Sequence, residues 1–150
     1  MSAQTSYDQT PVIGFNGMLA EQFSLRQIDS GLVEGGNLGL GVAMKRGSSD
    51  GQYVPCVADD AVEGVSIFSH AREKQADGSF VYEDKTQFPL LHKGRYYAVA
   101  NAAIAAEADV GYDPATGKVG AVVGATTTLA FGKAKTSAGA DGDLLIIELW

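Results

Sequence analysis

The chain predicts an all-β fold: a single-domain β-barrel or β-sandwich of short antiparallel strands with an extended N-terminal arm. Three observations predict it. Nineteen glycines are spread through 150 residues, and the longest stretch without one, Arg95 to Val110, is 16 residues. Glycine weakens the interior of a regular element by about 0.5–1 kcal/mol but reaches the φ > 0 conformations of tight turns, so this spacing favours short strands over long helices. Apolar residues also alternate at period two, with Leu38, Leu40, Val42 and Met44 opposed by Gly39, Gly41, Ala43 and Lys45. The third observation is the segment from Gly111 to Val119, in which Asp113 can accept bonds from following amides, Pro114 fixes φ and Gly117 is free to turn left-handed.

In chain order, Met1 to Pro11 is small and polar, with Tyr7 and one charge, Asp8. It reads as an arm, either disordered or ordered on a neighbouring subunit. Residues 12–150 read as one domain, since no linker or repeat divides them. The strand from Leu38 has one large apolar face and one nearly bare face, which either admits a close backbone or marks a bend near a bulge. Short strands follow at Tyr53–Ala58, Gly64–Ser69, Phe80–Glu83, Phe88–Leu91 and Arg95–Ala100, each bounded by Gly, Asp or Ser. Ala71 to Lys93 carries four charges of each sign and reads as a solvated hairpin or protruding loop. Asn101–Ala108 reads as strand end and turn, with a short helix as the rival. Val119, Ala121 and Val123 resume a strand, and Thr126–Thr136 carries Leu129 and Phe131 on one face. The last strand, Leu144 to Ile147 and onward, is apolar on both sides, which places it centrally or under a partner.

Composition excludes several functions. Eighteen acidic and eleven basic residues leave a net charge of −7, which repels phosphate backbones and anionic lipid, so neither nucleic acid nor membrane is an expected partner. No apolar run approaches the ~20 residues that span a bilayer. The single cysteine, Cys56, forms no internal disulfide and no secretory signal is evident, which points to folding in a cytoplasm.

Chemistry motifs are also missing. Gly111–Lys118 has five residues between its glycines where a phosphate loop needs four, and Val119 stands where the hydroxyl should be. Gly35 to Gly41 lacks the dinucleotide spacing. His70 and His92 without a third ligand are weak for zinc, and Asp59-Asp60 and Asp141-Gly142-Asp143 fit turns better than a calcium loop. Cys56 reads as a buried, inert thiol, and no serine stands in a nucleophile elbow. The expectation is therefore no catalytic residue, no metal and no cofactor. The candidate partner contacts are Tyr7 and Pro11 on the arm and Ile147 and Trp150 on the last strand.

The order of features resembles the structural cement, or capsid decoration, proteins of tailed bacteriophages. The resemblance runs through Gly17-Met18-Leu19-Ala20 and Gly39-Leu40-Gly41-Val42-Ala43, then Glu63-Gly64-Val65-Ser66-Ile67. It continues through Lys93-Gly94-Arg95-Tyr96-Tyr97-Ala98-Val99, the turn from Asp109 to Gly117, and Gly132-Lys133-Ala134 through Asp143 to Glu148. One departure is Glu107-Ala108-Asp109, where a glycine-aspartate turn is usual. The resemblance implies a non-enzymatic virion protein, made in the host bacterial cytoplasm and added to the outer capsid surface. There it would bridge major capsid proteins, usually as a homo-oligomer or at symmetry-related sites. The rival is a virion β-sandwich binding host carbohydrate or receptor, for which Tyr53, Tyr82, Tyr96, Tyr97 and Tyr112 are the available aromatics.

Overall fold

The computed structural model describes residues 14–20, 27–69 and 80–149. Among them are nine strands and no helix: β1 (Gln27–Val33), β2 (Ala43–Arg46), β3 (Gln52–Pro55), β4 (Gly64–Ser66), β5 (Gln87–Val99), β6 (Asp109–Asp113), β7 (Lys118–Gly120), β8 (Gly132–Ala134) and β9 (Leu144–Leu149). They form one sheet in the order β1-β3-β2-β4-β5-β9-β8-β6-β7, with a further pairing of β1 to β5. All strand pairs are antiparallel except β1 with β3.

The extra β1–β5 pairing closes a circuit of five strands, β1-β3-β2-β4-β5. A second circuit, β5-β9-β8-β6-β7, returns through the bridge of Ala100 to Val119 and the Asn101 amide donating to the Val119 carbonyl at 2.9 Å. Strand β5 belongs to both. At 13 residues it unites the two strands expected at Phe88–Leu91 and Arg95–Ala100.

A bulge lets β5 serve two cores. Its register with β1 passes from Leu91 opposite Ile28 to Lys93 opposite Gln27, leaving His92 as the extra residue. An extra residue reverses which face later side chains take. Phe88 and Leu90 accordingly line one cluster with Val33, Leu38, Met44 and Tyr82. Beyond the bulge, Tyr96 and Ala98 face the other, with Val110, Tyr112, Val119, Leu145, Ile147 and Leu149. His92 Nδ1 is 2.9 Å from the Glu63 carbonyl, and Nε2 lies 2.8 Å from an Asp29 carboxylate oxygen, within ion-pair distance but outside hydrogen-bond geometry.

The bare face from Leu38 has both of its expected causes. Gly41 bends the chain at φ 70, so regular pairing starts only at Ala43, and residues 14–20 press against the bend. Asn16 donates to the Leu40 carbonyl at 3.1 Å, and a Cβ at Gly17 would stand 2.8 Å from the Gly41 nitrogen. The expected strands at Phe80–Glu83 and Thr126–Thr136 shrink to a single bridge at Tyr82 and to β8. Asn101–Ala108 is turn, not helix. Glu107 occupies the left-handed position, φ 67, where a glycine would cost nothing, and its carboxylate bonds Lys135 through both oxygens at 3.3 Å. The arm Met1 to Pro11 and residues 70–79 of the expected charged hairpin lie outside the described residues.

Two buried tyrosines make opposite use of their hydroxyls. Tyr82 donates to the Ile67 carbonyl at 2.6 Å, whereas the Tyr96 hydroxyl, equally buried, has no hydrogen-bond partner among the described residues. Removing a bonded buried hydroxyl orphans its partner, while removing an unbonded one relieves desolvation. Tyr82→Phe is therefore expected to lose about 1 kcal/mol of stability, and Tyr96→Phe to lose nothing or gain. Urea unfolding of the two variants reads both.

Candidate functional site

The four expected contacts divide sharply. Tyr7, Pro11 and Trp150 lie outside the described residues. Ile147 is fully buried at 0% exposure, so its side chain belongs to the core and offers no outer contact. Its strand runs inside the sheet between β5 and β8, as two-sided apolarity predicts, and Leu144, Ile146 and Glu148 share its other, half-buried face. That face carries a row of ion pairs, Arg95 to Glu148 at 3.2 Å and Glu148 to Lys135 at 3.4 Å.

Among the described residues, Cys56, Asp113 and Asp143 serve structure. Cys56 is 2% exposed with its Sγ 4.0 Å from the Ala61 carbonyl, and burial, helped by the Asp60 charge, pushes its thiol up to about 12. Burial also pushes the Tyr112 phenol up to about 12. Asp143 accepts from the Gly139 and Ala140 amides at 2.9 and 3.0 Å, and Asp113 from Ala115 at 2.9 Å, so both are turn formers. An open cleft of about 430 Å³ is lined by Ile28, Ser30, Tyr82, Gln87, Phe88 and Pro89, with Asp29 as its carboxylate, 2.8 Å from His92 Nε2.

Cys56 and Tyr112 define an alkaline limit. Folded, both keep their protons to about pH 12; unfolded, they release them near the ordinary values of 9.0 and 10.0. Above pH 9 the folded state thus binds more protons than the unfolded state, and the slope of stability against pH is negative. Stability is expected to be complete below about pH 9 and to fall progressively toward pH 12, read as the urea midpoint across that range. Native Cys56 should resist alkylation at pH 8 and react once unfolded.

The surface that stands out was not foreseen from sequence. The loop between β3 and β4, residues 56–63, and the loop between β7 and β8, residues 121–131, are bonded to each other without regular structure. The Asp59 amide donates to the Thr127 carbonyl and the Leu129 amide to the Asp60 carbonyl, both at 2.9 Å, and Ala125 donates to the Asp59 carboxylate at 3.2 Å. Asp60 accepts from Val57 at 2.8 Å and pairs with Lys45 at 2.6 Å; these partners, Lys45 first, hold its carboxyl below the usual range. Buried Thr127 and Thr128 fasten the second loop, through the Val123 amide at 2.9 Å and the Tyr112 amide at 3.0 Å.

On this rigid support sit Val57, Val122, Val123 and Leu129, four of the six exposed large hydrophobic side chains among the described residues. The sequence signal was present but read otherwise. Gly120 to Phe131 contains no charge, and its adjacent valines break the alternation of a half-buried strand.

Residues 3–149 match the profile of a known family, the structural cement protein (E217 gp24/Pam3 gp6). No curated protein matches the chain.

Proposed function

Because the chain belongs to the structural cement protein family of bacteriophages, we propose that it binds the outside of an assembled capsid and ties neighbouring major capsid proteins together. It is a structural phage protein of the virion. The observation that carries the proposal is the family match across nearly the entire chain, in a molecule whose described residues are all-β. The proposed partner is the major capsid protein, met by this protein as a homo-oligomer or at symmetry-related sites, where repetition turns modest contacts into avidity. The N-terminal arm, residues 1–11, is proposed to join that contact by adding backbone bonds to a neighbour, with Tyr7, Pro11 and Trp150 among the residues involved.

The carbohydrate-binding rival requires exposed aromatics around one pocket. Tyr82, Tyr96, Tyr97 and Tyr112 are buried and Tyr53 is half-buried, packed edge-on against Phe88.

Purified protein mixed with expanded empty capsids of its phage is expected to cosediment to saturation. Filled heads carrying it should survive heating or osmotic shock that breaks bare heads. Failure to cosediment overturns the binding proposal. Equal survival at saturating occupancy overturns cementing while leaving attachment intact.

A further inference from the structure

We infer that the paired loops 56–63 and 121–131 are the surface by which the protein docks on the capsid, and that they take an apolar patch edged by lysine or arginine. The inference rests on the capsid-binding reading above and adds to it a location and a partner chemistry.

Three features of the loops converge. Val57, Val122, Val123 and Leu129 are 58%, 44%, 52% and 49% exposed, on loops whose backbones bond directly to each other. Large apolar groups concentrated at one place, instead of scattered singly, mark interaction surfaces. The support is also preorganised, so docking need not freeze a mobile loop. Finally, the loops keep two non-glycine residues in left-handed conformations, Asp59 at φ 64 and Ala125 at φ 65, joined by the bond from the Ala125 amide to the Asp59 carboxylate. Alanine has no side-chain means of offsetting that conformation, and strain of this kind collects at functional surfaces.

Charge identifies the occupant. The second loop is uncharged, and the first contributes Asp59, Asp60 and Glu63, of which Asp60 is neutralised by Lys45. Asp59 and exposed Glu63 therefore leave an acidic margin on an apolar centre. A second copy of this chain would bring the same acids against their likes, with a net charge of −7 on each partner. A capsid surface with an apolar centre and a basic margin satisfies both parts.

The test uses the full-length protein and expanded capsids. Val123→Asp with Leu129→Asp is expected to weaken cosedimentation roughly tenfold or more, with the urea midpoint and sedimentation coefficient of the free protein unchanged. Ser137→Asp, an exposed position between β8 and β9, should bind as wild type. Glu63→Lys should weaken binding most at low salt. If the aspartate pair fails to fold, Val123→Ser with Leu129→Ser gives the same reading. Wild-type affinity in a folded pair variant overturns the inference although wild type still binds. Failure of wild type itself overturns the capsid reading instead. Dissociation of a self-assembled oligomer by the pair variant, with capsid affinity per chain preserved, assigns the loops to a second copy and overturns it too. Tighter binding by Glu63→Lys overturns the basic margin.

Discussion

Ile147→Ala is expected to lower the free energy of unfolding by about 2–5 kcal/mol, because a fully buried β9 side chain leaves a cavity that the close-packed core cannot refill. Ile146→Ala, one residue away on the half-buried face, is expected to cost clearly less. The adjacent pair thus separates core from surface in a single strand. Urea denaturation of both variants reads the difference, and equal losses would mean that β9 is packed alike on its two sides. If Ile146→Ala also weakens self-association or capsid attachment, the outer face of β9 meets a partner.

The second large effect is expected at Gly132, where β8 passes between β6 and β9. A Cβ there would stand 2.5 Å from the Glu148 carbonyl oxygen and 3.1 Å from Ile147 Cγ2. Glu148 presents backbone, which cannot swing aside, so Gly132→Ala must separate two paired strands. A loss of about 1–3 kcal/mol is expected, as for overpacked cores. Gly124→Ala is the control, since a Cβ there meets no atom within 4 Å and φ is not in the left-handed region. It should leave stability unchanged or raise it by about 0.4–1 kcal/mol through the unfolded chain. Thermal melts should therefore show a clear drop for Gly132→Ala and none for Gly124→Ala.

Elements whose signal is local were legible in the sequence. The turn after Asp113 has the bonds expected of it, including Gly117 at φ 73, and β9 lies inside the sheet, one of the two places its two-sided apolarity allowed. Strand β1 was not legible, because Gln27 to Ser30 are exposed and the strand is set by partners on both sides, β3 in parallel and β5 antiparallel. The expected antiparallel arrangement misses that one parallel pair for the same reason. The union of two short strands into β5 turns on the bulge at His92, whose ring is placed by Asp29 and Glu63 from distant parts of the chain.

Of the candidate contacts, Ile147 illustrates the limit of pattern reading. Two-sided apolarity places β9 centrally or under a partner, but it does not say which face the chain's own core takes, and the Ile146 face is only half-buried. The paired loops were missed because Val123 and Leu129 look like strand residues until the bonds between Asp59 and Thr127 and from the Leu129 amide to Asp60 join their loop to residues 56–63. Long-range partners, absent from any local window, decided both cases.

The sharing of β5 by the two circuits has a mechanical consequence. A pull applied across the molecule enters one continuous covalent strand, flanked by β1 and β4 along its first half and by β9 along its second. Where tension runs along such a strand, the flanking ladders are loaded in shear, so their bonds must yield together instead of unzipping one at a time. If the protein is attached to a capsid as proposed, load crossing each copy would be carried by β5 and shared between its two flanking ladders.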